Sequence, residues 1–155
     1  MSGEVKEIWI APEPHVPMEE RSEVEAVVGE GLVGDRYFRS ANKFSVEKYD
    51  RAPREMTLIQ SEALINAGEE FGVSLTPDML RRNVVTSGID LNGLVGKRFQ
   101  IGEVELEGLE LCEPCQHISD MNGLPLIHWM LHRAGLRARI TRSGKIKKKD
   151  PVRVL

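Results

Sequence analysis

Hydrophobic and polar positions alternate through residues 5–11 (VKEIWIA) and 22–29 (SEVEAVVG), both rich in β-branched side chains, so both runs are read as strands. Between them Pro12, Pro14 and Pro17 mark a loop. Residues 36–55 are polar and show no strand or helix period, which reads as a long connection of the kind that is often functional in a compact domain. MTLIQ (56–60) is a short apolar strand. A helix is predicted over 61–72, with Ser61 as N-cap, Glu62 in the first turn and Gly72 as its stop. Thr76 and Pro77 open a second, short helix, and 83–88 (NVVTSG) returns to strand.

Along EVELEGLELC (103–112), Val104 and Leu106 alternate with glutamates, but after Gly108 the apolar residues fall at Leu109 and Leu111. One extra residue at a glycine is the signature of a β-bulge, which re-aims the side chains that follow it. A third helix is expected over 124–135, ending at Gly135. Two closing strands, 136–141 and 145–155, follow, joined by a turn at RSGK (142–145). About eight strands and three helices that do not alternate strictly favour a mainly β or α+β architecture, a mixed β-barrel with a few peripheral helices, over a doubly wound sheet. A chain of 155 residues is expected to form a single domain, 1–155.

Composition adds little to this picture, with 41% hydrophobic and 29% charged residues, whereas charge distribution adds more. The net charge is −3, yet residues 133–153 hold nine of the 21 basic residues and a single acid, Asp150. A basic tail on an acidic body suggests an anionic partner such as nucleic acid or a phosphorylated small molecule; the plain alternative is a solvated strand pair. Nucleic acid is the less favoured partner, because few aromatic residues are present to stack on bases. No apolar run is long enough to span a membrane, and the N-terminus reads as a first strand and not as a signal peptide. A cytoplasmic location is therefore expected, with both cysteines present as thiols.

GEGLVG (29–34) fits a dinucleotide-binding glycine pattern, but no helical face follows it, so the glycines are read as shaping a tight loop that presents Asp35 and Arg36. The two cysteines, Cys112 and Cys115, lie in CEPC with His117 close behind. A structural zinc site needs four ligands, and His15, His128 and His132 lack the spacing to complete one. A redox dithiol would sit at a helix N-terminus in a βαβ unit, whereas this pair follows a strand. Two structural thiols or one functional cysteine remain. His128 and His132, four apart, are expected to share a helix face, and the methionines to be packing residues. RRNVVTSG (81–88) offers Arg81, Arg82, Asn83, Thr86 and Ser87, side chains suited to phosphate oxygens or a heterocycle. On their own the two arginines would pass as surface residues.

Taken in order, GLVGDRY (31–37), MTLIQSEAL (56–64), the run from Arg81 to Gly108, CEPC (112–115) and KIKKKDPVRV at the end resemble the MOSC domain, found in molybdenum cofactor sulfurases, amidoxime-reducing molybdoenzymes and stand-alone bacterial proteins. The resemblance extends over roughly residues 5–155 and implies a β-rich barrel and a molybdenum cofactor (molybdopterin) held near a late cysteine. Cys115, after Pro114, matches that cysteine; its implied role is molybdenum ligand in the reductase branch or persulfide-bearing sulfur carrier in the sulfurase branch. Arg81 and Asn83 match the element that contacts the pterin or its phosphate, with Arg82, Thr86, Ser87 and the Asp35–Arg36 loop as further cofactor-binding positions. A small reductase, a cofactor-handling protein, a sulfur carrier and a non-catalytic anion- or nucleic-acid-binding module are the functions to be weighed. The implied partners are a cysteine desulfurase or a redox partner, and at family level the domain is also associated with pyridoxal phosphate. The family's glycine-aspartate near the C-terminus is here Lys149–Asp150.

Overall fold

The computed structural model describes residues 2–38 and 54–155; most of the long polar connection, 39–53, lies outside them. The chain folds as a closed mixed β-barrel of seven strands. Strands β1 (Ser2–Ile10), β5 (Met56–Gln60), β6 (Val84–Ser87), β7 (Arg98–Ile101), β8 (Val104–Leu111), β9 (Leu136–Arg142) and β11 (Pro151–Val154) form it. They run in the order β11-β7-β8-β9-β5-β6-β1, and β11 pairs back onto β1 to close the ring. Among the described strands β5 and β6 alone pair in parallel, with Leu58 opposite Val84. Short β2 (Glu19–Arg21) extends β1, and β3 (Glu23–Val27), β4 (Gly31–Leu32) and β10 (Gly144–Lys147) make a separate small sheet. Four short helices are described: α1 (Ser61–Phe71), α2 (Pro77–Leu80), α3 (Gln116–Asn122) and α4 (Leu126–Trp129). None is long and apolar enough to cross a membrane.

Alternation along the strands splits the apolar side chains between two cores. Met56, Leu58, Val84, Phe99, Leu106, Leu136 and Ala138 fill the barrel. Ile59 and Val85, one position out of phase, face the other way and pack with Leu64, Leu80, Ile118 and Leu126 beneath the helices. This explains why MTLIQ is apolar throughout: both faces of β5 are covered.

The bulge expected at Gly108 is present, with a register shift between Gly108 and Glu110 against β9. A Cβ on Gly108 would stand 2.1 Å from the Leu94 carbonyl oxygen, so only glycine lets the strand pass there. Other expectations need correcting. Ser61 is the first residue of α1 and not its cap; Gln60 holds the N-cap position, and no side chain caps that end. The helix expected over 124–135 is a single turn, α4, after which His132 adopts a left-handed φ of 62°. His128 and His132 therefore do not share a helix face. The two closing strands do not form a hairpin across RSGK: β10 leaves the barrel to pair with β3, and β11 returns to close it.

The basic tail is also resolved by the fold. Arg133 pairs with Glu70, Arg137 with Glu110, Arg139 with Glu107, Lys145 with Glu23 and Lys148 with Glu20. Antiparallel pairing lays Arg137 and Arg139 beside carboxylates of β8 and Lys145 beside one of β3, while Arg133 meets α1 and Lys148 meets β2, so the run of like charge in sequence is mixed charge in space.

Candidate functional site

The outward faces of β5 and β9 form part of one cavity. With Leu58 and Leu136 pointing into the barrel, Thr57 and Arg137 point away from it, and these two are cross-strand register partners. Both line a cavity of about 490 Å³. Pro14 and His15 reach it from the loop after β1, Arg36 and Tyr37 from the turn after β4, and Arg81 and Arg82 from the end of α2. Cys112, Glu113 and Cys115 close the remaining side together with His117 and Ile118 of α3, and Arg54 also contributes.

Cys115 is exposed and occupies the N-cap position of α3, a helix the sequence pattern did not suggest. Cys112 is buried, its N–H bonded to the Gly135 carbonyl at 2.8 Å. A Cβ on Gly135 would stand 2.0 Å from the Leu58 carbonyl oxygen, so glycine lets the chain entering β9, which holds the Cys112 N–H, pass close against β5. The cysteines are thus inequivalent. Glu113 between them accepts from the His132 backbone N–H at 2.7 Å and pairs with its ring Nδ1. His15 Nδ1 lies 3.0 Å from His117 Nε2, so one ring donates and the other accepts across the cavity mouth. Folding thus brings two histidines, from distant stretches of chain, to the cavity that Cys115 lines.

The arginines divide by what they already hold. Arg82, buried, donates to four backbone carbonyls: Ala134 and Leu80 at 2.7 Å each, Cys112 at 2.7 Å and Glu113 at 3.4 Å. It ties α2, the start of β9 and CEPC together. Arg36 bonds Asp35 at 3.1 Å and the Arg81 carbonyl at 3.1 Å, with its guanidinium 4.2 Å from the centre of the Tyr37 ring. Arg81 is held in a left-handed conformation at the end of α2, and its Nη1 donates to the Val16 carbonyl. Its Nη2 is buried without a partner among the described residues, and so is Nη1 of Arg137. Burial, and then the neighbouring Arg36 guanidinium, push Arg81 below the usual arginine value, with Tyr37 and Asp35 acting the other way. An unpaired buried donor costs about 1–3 kcal/mol, a cost an anion in the cavity would offset.

Asp35, Asn83, Thr86 and Ser87 are not among the cavity-lining residues. Asp35 and Asn83 stand just behind it: Asn83 Nδ2 donates to Asp35 at 3.2 Å and to the Trp9 carbonyl at 3.0 Å, and its Oδ1 accepts from the Thr57 N–H at 3.1 Å. Thr86 shares the alternation phase of Val84, on the barrel-interior side of β6, where its hydroxyl has no partner among the described residues. Ser87 pairs with Glu4 at the far end of the strand. Arg137, Thr57, Tyr37, His15 and Arg54 line the cavity but are not among the site residues expected from the sequence, where His15 enters only as an unsuited zinc ligand. For Arg137 the usable signal was its place between Leu136 and Ala138 in an alternating strand, obscured by the basic residues around it.

Residues 42–153 match the MOSC domain. The chain belongs to the MOSC-domain family. Solved MOSC-like structures share the architecture. The YuaD protein of Bacillus subtilis superposes with a TM-score of 0.79 at 19% identity, over 99% of this chain and 96% of that one. YiiM of Geobacillus stearothermophilus gives 0.74 at 12% identity, over 99% and 75%. YiiM of Escherichia coli gives 0.72 at 16%, over 100% and 70%. At these identities the likeness is one of fold. No curated protein matches the sequence. The MOSC family is associated with molybdenum cofactor, and the MOSC match takes in Cys115, Arg81 and Arg137 but not the His15 loop or the Asp35–Tyr37 turn.

Proposed function

We propose that this MOSC protein binds a molybdopterin-type cofactor in the arginine-walled cavity, with the Cys115 thiolate as molybdenum ligand. The observation that carries the reading is the pairing of an exposed Cys115 with the open, buried Nη2 of Arg81 in one cavity. A thiolate is a soft donor suited to a metal already held by sulfur. A guanidinium with a free nitrogen is suited to a phosphate oxygen. Arg81 and Arg36 would hold the phosphate. Arg82 anchors the Cys112 and Glu113 carbonyls and so positions Cys115, while Asn83 and Asp35 orient Thr57 and Arg36. When bound, the group supplies metal-centred redox chemistry, whether the protein is a small reductase or a cofactor-handling protein.

Anaerobic purification from a host that makes the cofactor, followed by metal analysis and oxidised-pterin fluorescence, tests this. Wild-type protein should carry molybdenum and pterin in equal amounts, and Cys115→Ser should retain the cofactor less well and be isolated with a lower molybdenum content. If the wild type carries neither, and the apo-protein takes none up, the reading fails.

A second reading, sulfur carriage on Cys115, is favoured by the exposure of that thiol beside His117 in the same cavity. Incubation with a cysteine desulfurase should then add the mass of one sulfur atom to Cys115. A modification confined to Cys112 would count against it.

A further inference from the structure

The open donors of the cavity belong to two separate hydrogen-bonded sets. Arg81 is tied to the loop after β1 through the Val16 carbonyl, and to the turn after β4 through its own carbonyl, which accepts from Arg36. Arg137 stands on β9, with Nε paired to Glu110 of β8 at 3.2 Å and Nη2 3.6 Å from Cys112 Sγ. Its Nη1 is buried and without a partner among the described residues. The Arg82 guanidinium also lines the cavity, but each of its three nitrogens already donates to a backbone carbonyl.

We propose that Arg137 forms a second anion position at the cysteine end of the cavity, and that its ligand is a small substrate bearing an oxyanion group, such as a carboxylate or a sulfur oxyanion. The inference rests on the cofactor reading in one respect: it leaves the Arg81–Arg36 end to the cofactor phosphate. Three features fit a small anion. The Arg137 side chain is only 16% exposed, so a bulky partner at the outer surface cannot engage its fork. Glu110 takes Nε and Cys112 Sγ lies against Nη2, which leaves Nη1 as the open nitrogen, and a guanidinium N–H is a strong donor to an oxyanion. Thr57, its register partner, lines the same cavity with its hydroxyl already bonded to Asn83 as donor and acceptor, so Arg137 Nη1 is the donor left open on this face of the sheet. The contact to Cys112 Sγ makes the buried thiol part of this position, and places an anion held there in the same cavity as Cys115.

The test is arginine side-chain NMR of the apo-protein during titration with inorganic sulfate, the Nε–Hε signals being assigned from Arg81→Gln and Arg137→Gln. The expected result is two saturation curves with different midpoints. Arg137→Gln should abolish its own curve and leave that of Arg81 within about twofold, as for independent sites. If the glutamine variant fails to fold, Arg137→Lys, which keeps the cation beside Glu110, should weaken the second curve alone. A single shared curve lost in either variant overturns the inference, as does an Arg137 signal that stays still through the titration. Failure of the cofactor reading looks different, with no pterin uptake but both sulfate curves intact.

Discussion

Thr86 and Glu62 carry opposite consequences for stability. The Thr86 hydroxyl is buried on the barrel-interior side without a partner among the described residues, so Thr86→Val removes an unsatisfied group while keeping the shape. Chemical denaturation should show a gain of about 1 kcal/mol; a loss would mean that the hydroxyl is satisfied after all. For Glu62, burial pushes the carboxyl up, but bonds from the Gly88 N–H, its own N–H and the Ser61 hydroxyl, with Lys6 nearby, outweigh it and hold the group below its ordinary 4.5. A depressed carboxyl stabilises the fold above its unfolded value, and that stability is lost as pH falls through the folded one. The site is largely exposed, so Glu62→Ala should cost only about 0.5–1 kcal/mol at pH 7. The gap to wild type should shrink as melting is followed downward from about pH 4.5; a gap that does not change with pH would contradict the linkage.

At the scale of elements, β1, β3 and the bulge in β8 are legible from the alternation of a half-buried strand, and β5 from a short apolar run covered on both faces. Helices were less so. The segment Gln116–Asn122 buries only Ile118 and Ser119, too few positions to show a period, and its N-cap is a cysteine, not a usual capping residue. The run 124–135 has the apolar content of a helix, but Pro125 opens a single turn and the Glu113 acceptors hold His132 in a left-handed conformation. The turn into β11 shows the opposite effect. Lys149, where the family carries glycine, is held at φ 73° between the Lys147–Asp150 hydrogen bonds and the Val5 carbonyl. Lys149→Gly should relieve that conformation and raise stability by about 1 kcal/mol in a melting experiment. A loss would show that the lysine side chain contributes more than its backbone costs.

For the whole molecule, barrel closure does what no linear pattern announces. It gathers His15, Arg36, Arg81, Cys115 and Arg137 from five separate stretches of chain around one cavity. Two of them, His15 and Arg137, carried no local mark: one sits alone in a proline-rich loop, the other inside a basic run that folding turns into ion pairs. Thr86 and Ser87 show the converse, since adjacency to Arg81 in sequence places them on the other face or at the far end of β6. The same closure leaves Cys115 exposed and Cys112 buried, which is why the account rests on one thiolate and not on a dithiol. X-ray absorption at the molybdenum edge tests that claim most directly, comparing cofactor-loaded wild type with Cys115→Ser. The account predicts one fewer sulfur neighbour per molybdenum in the variant, with the pterin sulfurs unchanged. An identical sulfur shell in both proteins would contradict it.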